Sequence, residues 1–156
     1  MTRKEEILAA YDDAWSWRWE SLTAALNGIT DEEAAFQHPI YSDVEREEGH
    51  PPSGSILWHL VHLAHCYRHY VSAIKRRPDA PEEFPPPEAS LLAEAISNLE
   101  RYRLELRTAI ASVPEEELDD EVFNYKTVAQ LARMTVRHDA WHASQIAIAK
   151  RLYRMR

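Results

Sequence analysis

The amino-acid sequence predicts an all-α protein built from four long helices. It has only three glycines, and its nine prolines all lie between four long proline-free windows. Each window is rich in Ala, Leu, Glu and Arg, the residues that favour a helix. Proline cannot donate the helical hydrogen bond and clashes with the preceding turn, so it marks the helix ends. We expect one domain over residues 1–156, because this length suits a single core.

The first window and the loop after it predict one long helix and one short helix. We expect the first long helix over about Arg3–Asn27, where apolar residues recur at helical spacing and Gly28 can cap the end. The loop from Gly28 to Pro52 contains a short helical segment, Asp31–Phe36, and an acidic stretch at residues 45–48. A connection of this length could cover a functional site.

The second helix and the linker after it predict an unusual course of the chain. The helix should begin after an N-cap at Ser53 or Ser55 and run to about Arg77. The linker at residues 78–87 is proline-dense and should be extended, rising about 3 Å per residue. A linker of this kind can run along most of a bundle, in which case the second and third helices would point the same way.

The last two windows predict the third and fourth helices. The third is expected over about Glu88–Ser112, because apolar residues recur at helical spacing from Leu91 to Ile110. The fourth is expected to begin at Thr127 and to extend nearly to the end of the chain. The segment Thr127–Gln130 has the form of a capping box, which is typical of a helix start.

The composition argues against several classes of protein and partner. A net charge of −8 leaves few surplus cations to track phosphates, so we expect no nucleic-acid partner. We expect no membrane partner, because no apolar run approaches the roughly 20 residues of a membrane span. The N-terminus has no apolar signal region and Cys66 is the single cysteine, which favour a cytoplasmic location. Because the chain has a single cysteine, any metal site must be built from histidine and carboxylate side chains.

Histidines are concentrated in the second and fourth predicted helices. These are His59, His62, His65 and His69 in the second, and His138 and His142 in the fourth, whereas His38 and His50 are expected in loops. Two histidines four residues apart present both imidazoles on one helix face, so a metal can bind both if a third ligand arrives. His62 lies at a height in its helix that allows it to meet the pair. Three protein ligands leave positions open for water or substrate, which favours catalysis.

Other residues beside His62 leave alternatives open. At about 100° per residue, His69 returns almost to the direction of His62 and is the candidate to assist catalysis as a base. His59 would replace His62 as a ligand if the helix were rotated by about 60°. Cys66 lies close to the same face and is either a fourth ligand or, more commonly, a small buried hydrophobe. Asp139 is expected as a carboxylate behind the ligands or on the surface.

Two segments together resemble a known family. They are Ser55–Ala64, which reads SILWHLVHLA, and His138–Ile146, which reads HDAWHASQI. The chain resembles the DinB-like superfamily of four-helix-bundle metalloproteins. In that family a histidine in a Trp-x-x-x-His-Leu-Ala segment of the second helix joins a His-x-x-x-His-x-x-Gln-Ile segment of the fourth to bind a divalent metal. The matching positions in this sequence are His62, His138 and His142, and the resemblance covers nearly the whole chain.

The resemblance implies a fold, a partner and a cofactor. It implies a four-helix bundle of up-down-down-up course with a long crossover between the second and third helices, and often a homodimer. The implied cofactor is a divalent transition metal, zinc or nickel, or iron, cobalt or manganese. Relatives include thiol-dependent transferases and isomerases, putative metal-dependent hydrolases and domains of thiol-histidine biosynthesis. We discount the last group, because Ala143 and Ser144 follow His142 where that group carries an acidic residue.

Three hypotheses about function follow. The first is a metal-dependent S-transferase that acts on a small-molecule substrate with a low-molecular-weight thiol as cosubstrate. The second is a hydrolase in which the metal activates a bound water and His69 assists. The third is a non-enzymatic bundle with a structural metal or none, whose first helix serves subunit association. We expect Trp17 or Trp19 to pack at an edge or against another subunit, and we favour this ordinary packing over a cofactor site.

Overall fold

A computed structural model of the chain describes residues 1–41, 43–44 and 48–156. In these residues the chain forms six α-helices: α1 Arg3–Ser16, α2 Leu22–Leu26, α3 Asp31–Ala35, α4 Ile56–Arg76, α5 Leu92–Ser112 and α6 Val128–Arg154. Two-residue strands, β1 Glu121–Val122 and β2 Lys126–Thr127, pair antiparallel just before α6, and 3₁₀ turns lie at Pro39–Tyr41 and Glu115–Glu117. The prediction of an all-α protein is confirmed. Among the described residues no helix is long and apolar enough to span a membrane.

The first long helix that we expected is broken in two. α1 ends at Ser16, and α2 starts after Ser21, whose hydroxyl accepts a hydrogen bond from the backbone N–H of Ala24. The hydroxyl of Thr23 donates to the carbonyl of Trp15, which belongs to the last turn of α1. Ser and Thr side chains that bond to nearby backbone compete with a continuous helix and favour its ends. The prediction of one helix over Arg3–Asn27 was therefore wrong.

The other helix starts follow from local capping. The hydroxyl of Ser55 accepts from the backbone N–H of Trp58, and Thr127 caps α6 in the same way. Both N-caps agree with the sequence prediction, and α3 matches the short helix expected in the loop. α5 begins later than expected, because the carboxylate of Glu94 accepts from the backbone N–H groups of Ser90 and Leu91. These residues are thereby held outside the helix.

α4 is the central helix of the structure. Thirteen of its 21 residues are buried, and it packs against both α5 and α6. Its contacts with α6 give the relative direction of the two helices. His59, near the start of α4, meets His142, whereas Tyr70, near the end, meets Met134 at an earlier position of α6. The two histidine-bearing helices therefore run antiparallel.

The proline-dense linker runs back along α4. The backbone N–H of Glu82 donates to the hydroxyl of Ser72, and Nε2 of His65 donates to the carbonyl of Phe84 at 2.7 Å. Later linker residues thus lie beside earlier residues of α4. This course carries the chain toward the start of α4 before α5 begins, as the length of the linker indicated. The complete up-down-down-up course stays a prediction.

Candidate metal centre

Three of the histidines converge between α4 and α6. One ring nitrogen each of His62, His138 and His142 lies within 4.8 Å of the other two. His138 and His142 are one turn apart on α6, and their Nε2 atoms face each other at 3.0 Å. The structure therefore brings together the three residues that we expected, in a group of ring nitrogens that could hold a metal ion. Their role as metal ligands stays a prediction.

His59 lies behind this triad rather than within it. Its Nδ1 is 2.8 Å from Nδ1 of His142, and its side chain is buried. His142 thus has Nδ1 engaged by His59 and Nε2 directed toward His138. A hydrogen bond to one ring nitrogen of a metal ligand fixes which nitrogen is left for the metal. His59 is placed to orient His142, and His62 occupies the position in the triad.

Burial keeps these imidazoles neutral. Loss of hydration, with a smaller contribution from neighbouring imidazoles, lowers the pKa of both His59 and His62 to about 4. The same causes lower the pKa of His142 to about 2, and burial also lowers the pKa of His138. The charged form is the one that burial disfavours. At neutral pH the triad therefore offers neutral imidazoles, which are the form that binds a metal.

Tyr70 occupies the outer nitrogen of His138. Its hydroxyl oxygen is 3.3 Å from Nδ1 of His138, and its O–H donates weakly to the sulfur of Met134 at 3.9 Å. With a metal on Nε2 of His138, Nδ1 would carry the proton and donate to the hydroxyl of Tyr70. Each of the two histidines of α6 therefore has an outer Nδ1 partner and an inner Nε2. This is the arrangement that orients histidine ligands in metal sites.

Two tryptophans enclose the triad. The indole of Trp58 stacks on the ring of His62, with centroids 4.8 Å apart and planes 14° apart. The ring of Trp141 meets His142 edge-on at 4.7 Å, while about half of its own side chain is exposed. Trp58 is one turn before His62 on α4, so helix spacing alone brings the two rings together. These contacts restrict the rotation of two members of the triad.

Asp139 is buried in the core beside α4. The hydroxyl of Tyr67 donates to Oδ1 of Asp139 at 2.6 Å, and neither side chain is exposed to solvent. Burial raises the pKa of Asp139 to about 7, against the opposing effects of the Tyr67 hydrogen bond and the positive charge of Arg103. The alternative of a surface carboxylate was therefore wrong. The spacing of apolar residues along α6 did not reveal the burial of Asp139, because its partner Tyr67 is on α4.

His69 and Cys66 lie near the triad without joining it. In the part of the chain that the structure describes, neither belongs to the group of converging nitrogens. The described ring contacts of His69 are with Tyr70 and Tyr125, both at 6.1 Å, and Tyr70 in turn contacts His138. The sulfur of Cys66 is 3.5 Å from Nε2 of His62. The catalytic role of His69 stays a prediction.

His50 lies beside the triad, although the sequence analysis expected it only as a loop histidine. It does lie in a loop, but only 6% of it is exposed, and its ring centroid is 6.1 Å from that of His62 and 5.7 Å from that of His65. The sequence signal for an ordered His50 was the Pro51–Pro52 pair that follows it. These prolines stiffen the chain just before the N-cap of α4. Residues 45–47, from the acidic stretch of the same loop, lie outside the described residues.

An open cleft of about 1010 Å³ is also lined by His50. Its other lining residues include Leu57 at the start of α4 and Glu94 and Asn98 on α5. Because the ring of His50 also contacts that of His62, the cleft comes within one side chain of the triad. The ring of His50 therefore lies between the cleft and the ring of His62.

Comparison with known proteins gives one match. A family model described as the DinB superfamily matches residues 14–146, a range that includes the three histidines of the triad and all of α4 and α5. No curated protein and no solved structure gives a significant match. The match therefore covers most of the chain, including the parts of α4 and α6 that carry the triad.

Proposed function

The chain belongs to the DinB superfamily, and from this premise we propose that it binds a divalent transition metal through His62, His138 and His142. The observation that carries the proposal is the convergence of three ring nitrogens within 4.8 Å of one another. An all-nitrogen donor set suits zinc and nickel, and also cobalt or ferrous iron, better than it suits the oxygen-preferring manganese. The three histidines therefore fit the divalent transition metal that the family implies.

The surrounding residues support binding before any ion arrives. Burial keeps the imidazoles neutral, so protons compete weakly for the ring nitrogens at neutral pH. His59 and Tyr70 occupy the outer nitrogens of His142 and His138 and leave the inner ones for the ion. Little reorganisation of side chains would then accompany binding, which favours affinity.

We further propose a metal-dependent S-transferase that uses a low-molecular-weight thiol and an electrophilic small molecule. When bound, the ion would lower the pKa of the thiol and favour the thiolate. Three protein ligands leave a position for such a molecule. Trp58, stacked on His62, would exclude water from one side of the site, and the cleft lined by His50 would admit the substrate.

The proposal also includes a homodimer in the cytoplasm. Trp17 and Trp19, in the break between α1 and α2, are 57% and 72% exposed. Large exposed apolar side chains close together are typical of an interaction surface. The single cysteine of the sequence agrees with a reducing compartment.

Cobalt spectroscopy tests the proposed activity. Protein loaded with Co²⁺ should show a new sulfur-to-metal charge-transfer band when glutathione or another common low-molecular-weight thiol is added, and His138→Ala should abolish it. If Co²⁺ binds and no thiol changes the spectrum, the transferase is wrong. Thiol-independent hydrolysis of ester substrates by the same protein would then favour the hydrolase, which is the alternative function.

A further inference from the structure

We infer that the buried hydrogen bond between Tyr67 and Asp139 is a positioning element, which holds α4 and α6 in the register that brings His62 to the histidine pair of α6. This inference rests on the proposed metal site. It assigns a role to two residues that are not among the proposed metal ligands, His62, His138 and His142. Tyr67 is five residues after His62 on α4, and Asp139 directly follows His138 on α6.

The bond differs from the other polar links between the two helices. Among the described residues, the remaining side-chain hydrogen bonds from α4 to α6 join His59 to His142 at 2.8 Å and Tyr70 to His138 at 3.3 Å or to Met134 at 3.9 Å. The first two involve the imidazoles that an ion would engage, and the last is a weak bond to sulfur. The Tyr67–Asp139 bond is the shortest, at 2.6 Å, and contains no imidazole. It can therefore keep its geometry whether or not a metal is bound.

The position of the pair couples it to the triad. At about 100° per residue, Asp139 points about 60° away from His142 and about 100° away from His138, so it faces the core while they face the site. A slip of α4 by one residue would shift His62 by about 1.5 Å along the helix axis and turn it by about 100°. Tyr67 would turn with it and lose the carboxylate. The register that makes the hydrogen bond is thus the register that makes the triad.

Stability alone does not account for a carboxylate at this point. Oδ2 of Asp139 is buried and has no hydrogen-bond partner among the described residues. An unsatisfied buried oxygen is costly, and replacing both members of a buried polar pair by apolar side chains is often neutral or stabilising. An apolar pair would therefore pack the same space without the unsatisfied oxygen. An apolar pair would lack a directional contact that selects one register of α4 against α6.

Tyr11 provides a matched control. It is also fully buried, and its hydroxyl donates to the backbone carbonyl of Arg103 at 3.1 Å. This bond joins α1 to α5, neither of which carries a histidine of the triad. Tyr11→Phe removes the same chemical group from the same core and leaves every hydrogen bond between α4 and α6 among the described residues in place.

The experiment compares four proteins: the wild type, the double variant Tyr67→Phe/Asp139→Leu, Asp139→Asn, and Tyr11→Phe. The double variant avoids leaving a buried carboxylate without a partner, and Asp139→Asn keeps an oxygen that can accept from Tyr67. For each protein we would measure the dissociation constant for Co²⁺ by competition with a chelator, the ligand-field spectrum of the Co²⁺ form, and the unfolding temperature of the metal-free protein.

The inference predicts a separation of affinity from stability. The double variant should bind Co²⁺ about tenfold or more weakly and show shifted ligand-field bands, although its metal-free form unfolds at the wild-type temperature or above. Asp139→Asn and Tyr11→Phe should both keep the wild-type spectrum. Wild-type affinity and spectrum in the double variant would overturn the inference. Equal losses in Tyr11→Phe or in Asp139→Asn would also overturn it, because the effect would then come from general loosening or from charge. A wild-type protein that binds no Co²⁺ would overturn the metal site itself.

Discussion

Nδ1 of His59 lies 2.8 Å from Nδ1 of His142, in a buried contact that joins α4 to α6. One ring must donate the shared proton and the other must accept it. In either arrangement Nδ1 of His142 is occupied, and Nε2 remains directed toward His138. His59 thus orients one proposed ligand while His62 completes the triad from the same helix.

Removal of His59 should weaken metal binding without abolishing it. In His59→Ala the outer nitrogen of His142 loses its partner, and loss of such a partner typically costs about 10- to 100-fold in affinity. Competition with a zinc chelator measures the change. The matched control is His65→Ala, on the same helix, whose described hydrogen bond is to the backbone of Phe84 rather than to the triad. Equal zinc affinity in His59→Ala and the wild type would contradict the orienting role.

Tyr70→Phe should affect both stability and metal binding. The substitution removes the oxygen that lies 3.3 Å from Nδ1 of His138, in a side chain that is largely buried. We expect the free energy of unfolding to fall by about 1 kcal/mol and zinc affinity to fall by about tenfold. Urea denaturation and chelator competition measure the two effects. Tyr102→Phe on α5 is the control and should leave zinc affinity unchanged.

The stability of the metal-free protein should fall as pH decreases from about 6.5 to about 4. The pKa of His59 and His62 is about 4 in the folded protein, below the ordinary value of 6.5, because burial disfavours the charged form. Between these values the unfolded chain binds more protons than the folded one, so acid favours unfolding. Well above 6.5 both states are neutral at these positions and the effect is absent.

Urea denaturation across this range, without metal, tests the pH dependence. The double variant His59→Gln/His142→Gln replaces a buried pair of titrating rings by amides that do not titrate. Its stability should depend on pH less steeply than that of the wild type. An equally steep dependence in the two proteins would show that other groups control acid unfolding.

Loss of the exposed tryptophans should convert the proposed homodimer to a monomer. Trp17→Ser/Trp19→Ser removes both large apolar side chains from the break between α1 and α2. Sedimentation velocity measures the oligomeric state. Leu104→Ser removes an exposed apolar side chain from α5 and should leave the dimer intact. A wild type that sediments as a monomer at micromolar concentration would contradict the homodimer.

Local sequence signals predicted much of the fold and the histidine pair of α6. Ser55 and Thr127 cap the two histidine-bearing helices, because side-chain oxygens followed by helix-forming residues satisfy the first free N–H groups. The separation of four residues between His138 and His142 places both rings on one face. The family resemblance then selected His62 over His59, and the structure brings His62 to the pair.

Features that depend on particular side-chain contacts, whether local or distant in sequence, were missed. The break after α1 depends on Ser21 and Thr23, whose hydroxyls bond to nearby backbone instead of continuing the helix. The burial of Asp139 depends on Tyr67, 72 residues earlier in the chain. His50 reaches the site from a loop, where hydrophobic periodicity carries no information about direction.

The metal content of untagged protein tests the central claim most directly. Protein purified without chelators should contain about one zinc or nickel ion per chain by elemental analysis, as a single three-histidine site requires. His138→Ala should fold, by circular dichroism, and contain no metal above background. Folded wild-type protein that contains no metal and takes up no added Zn²⁺, Ni²⁺ or Co²⁺ would contradict the account.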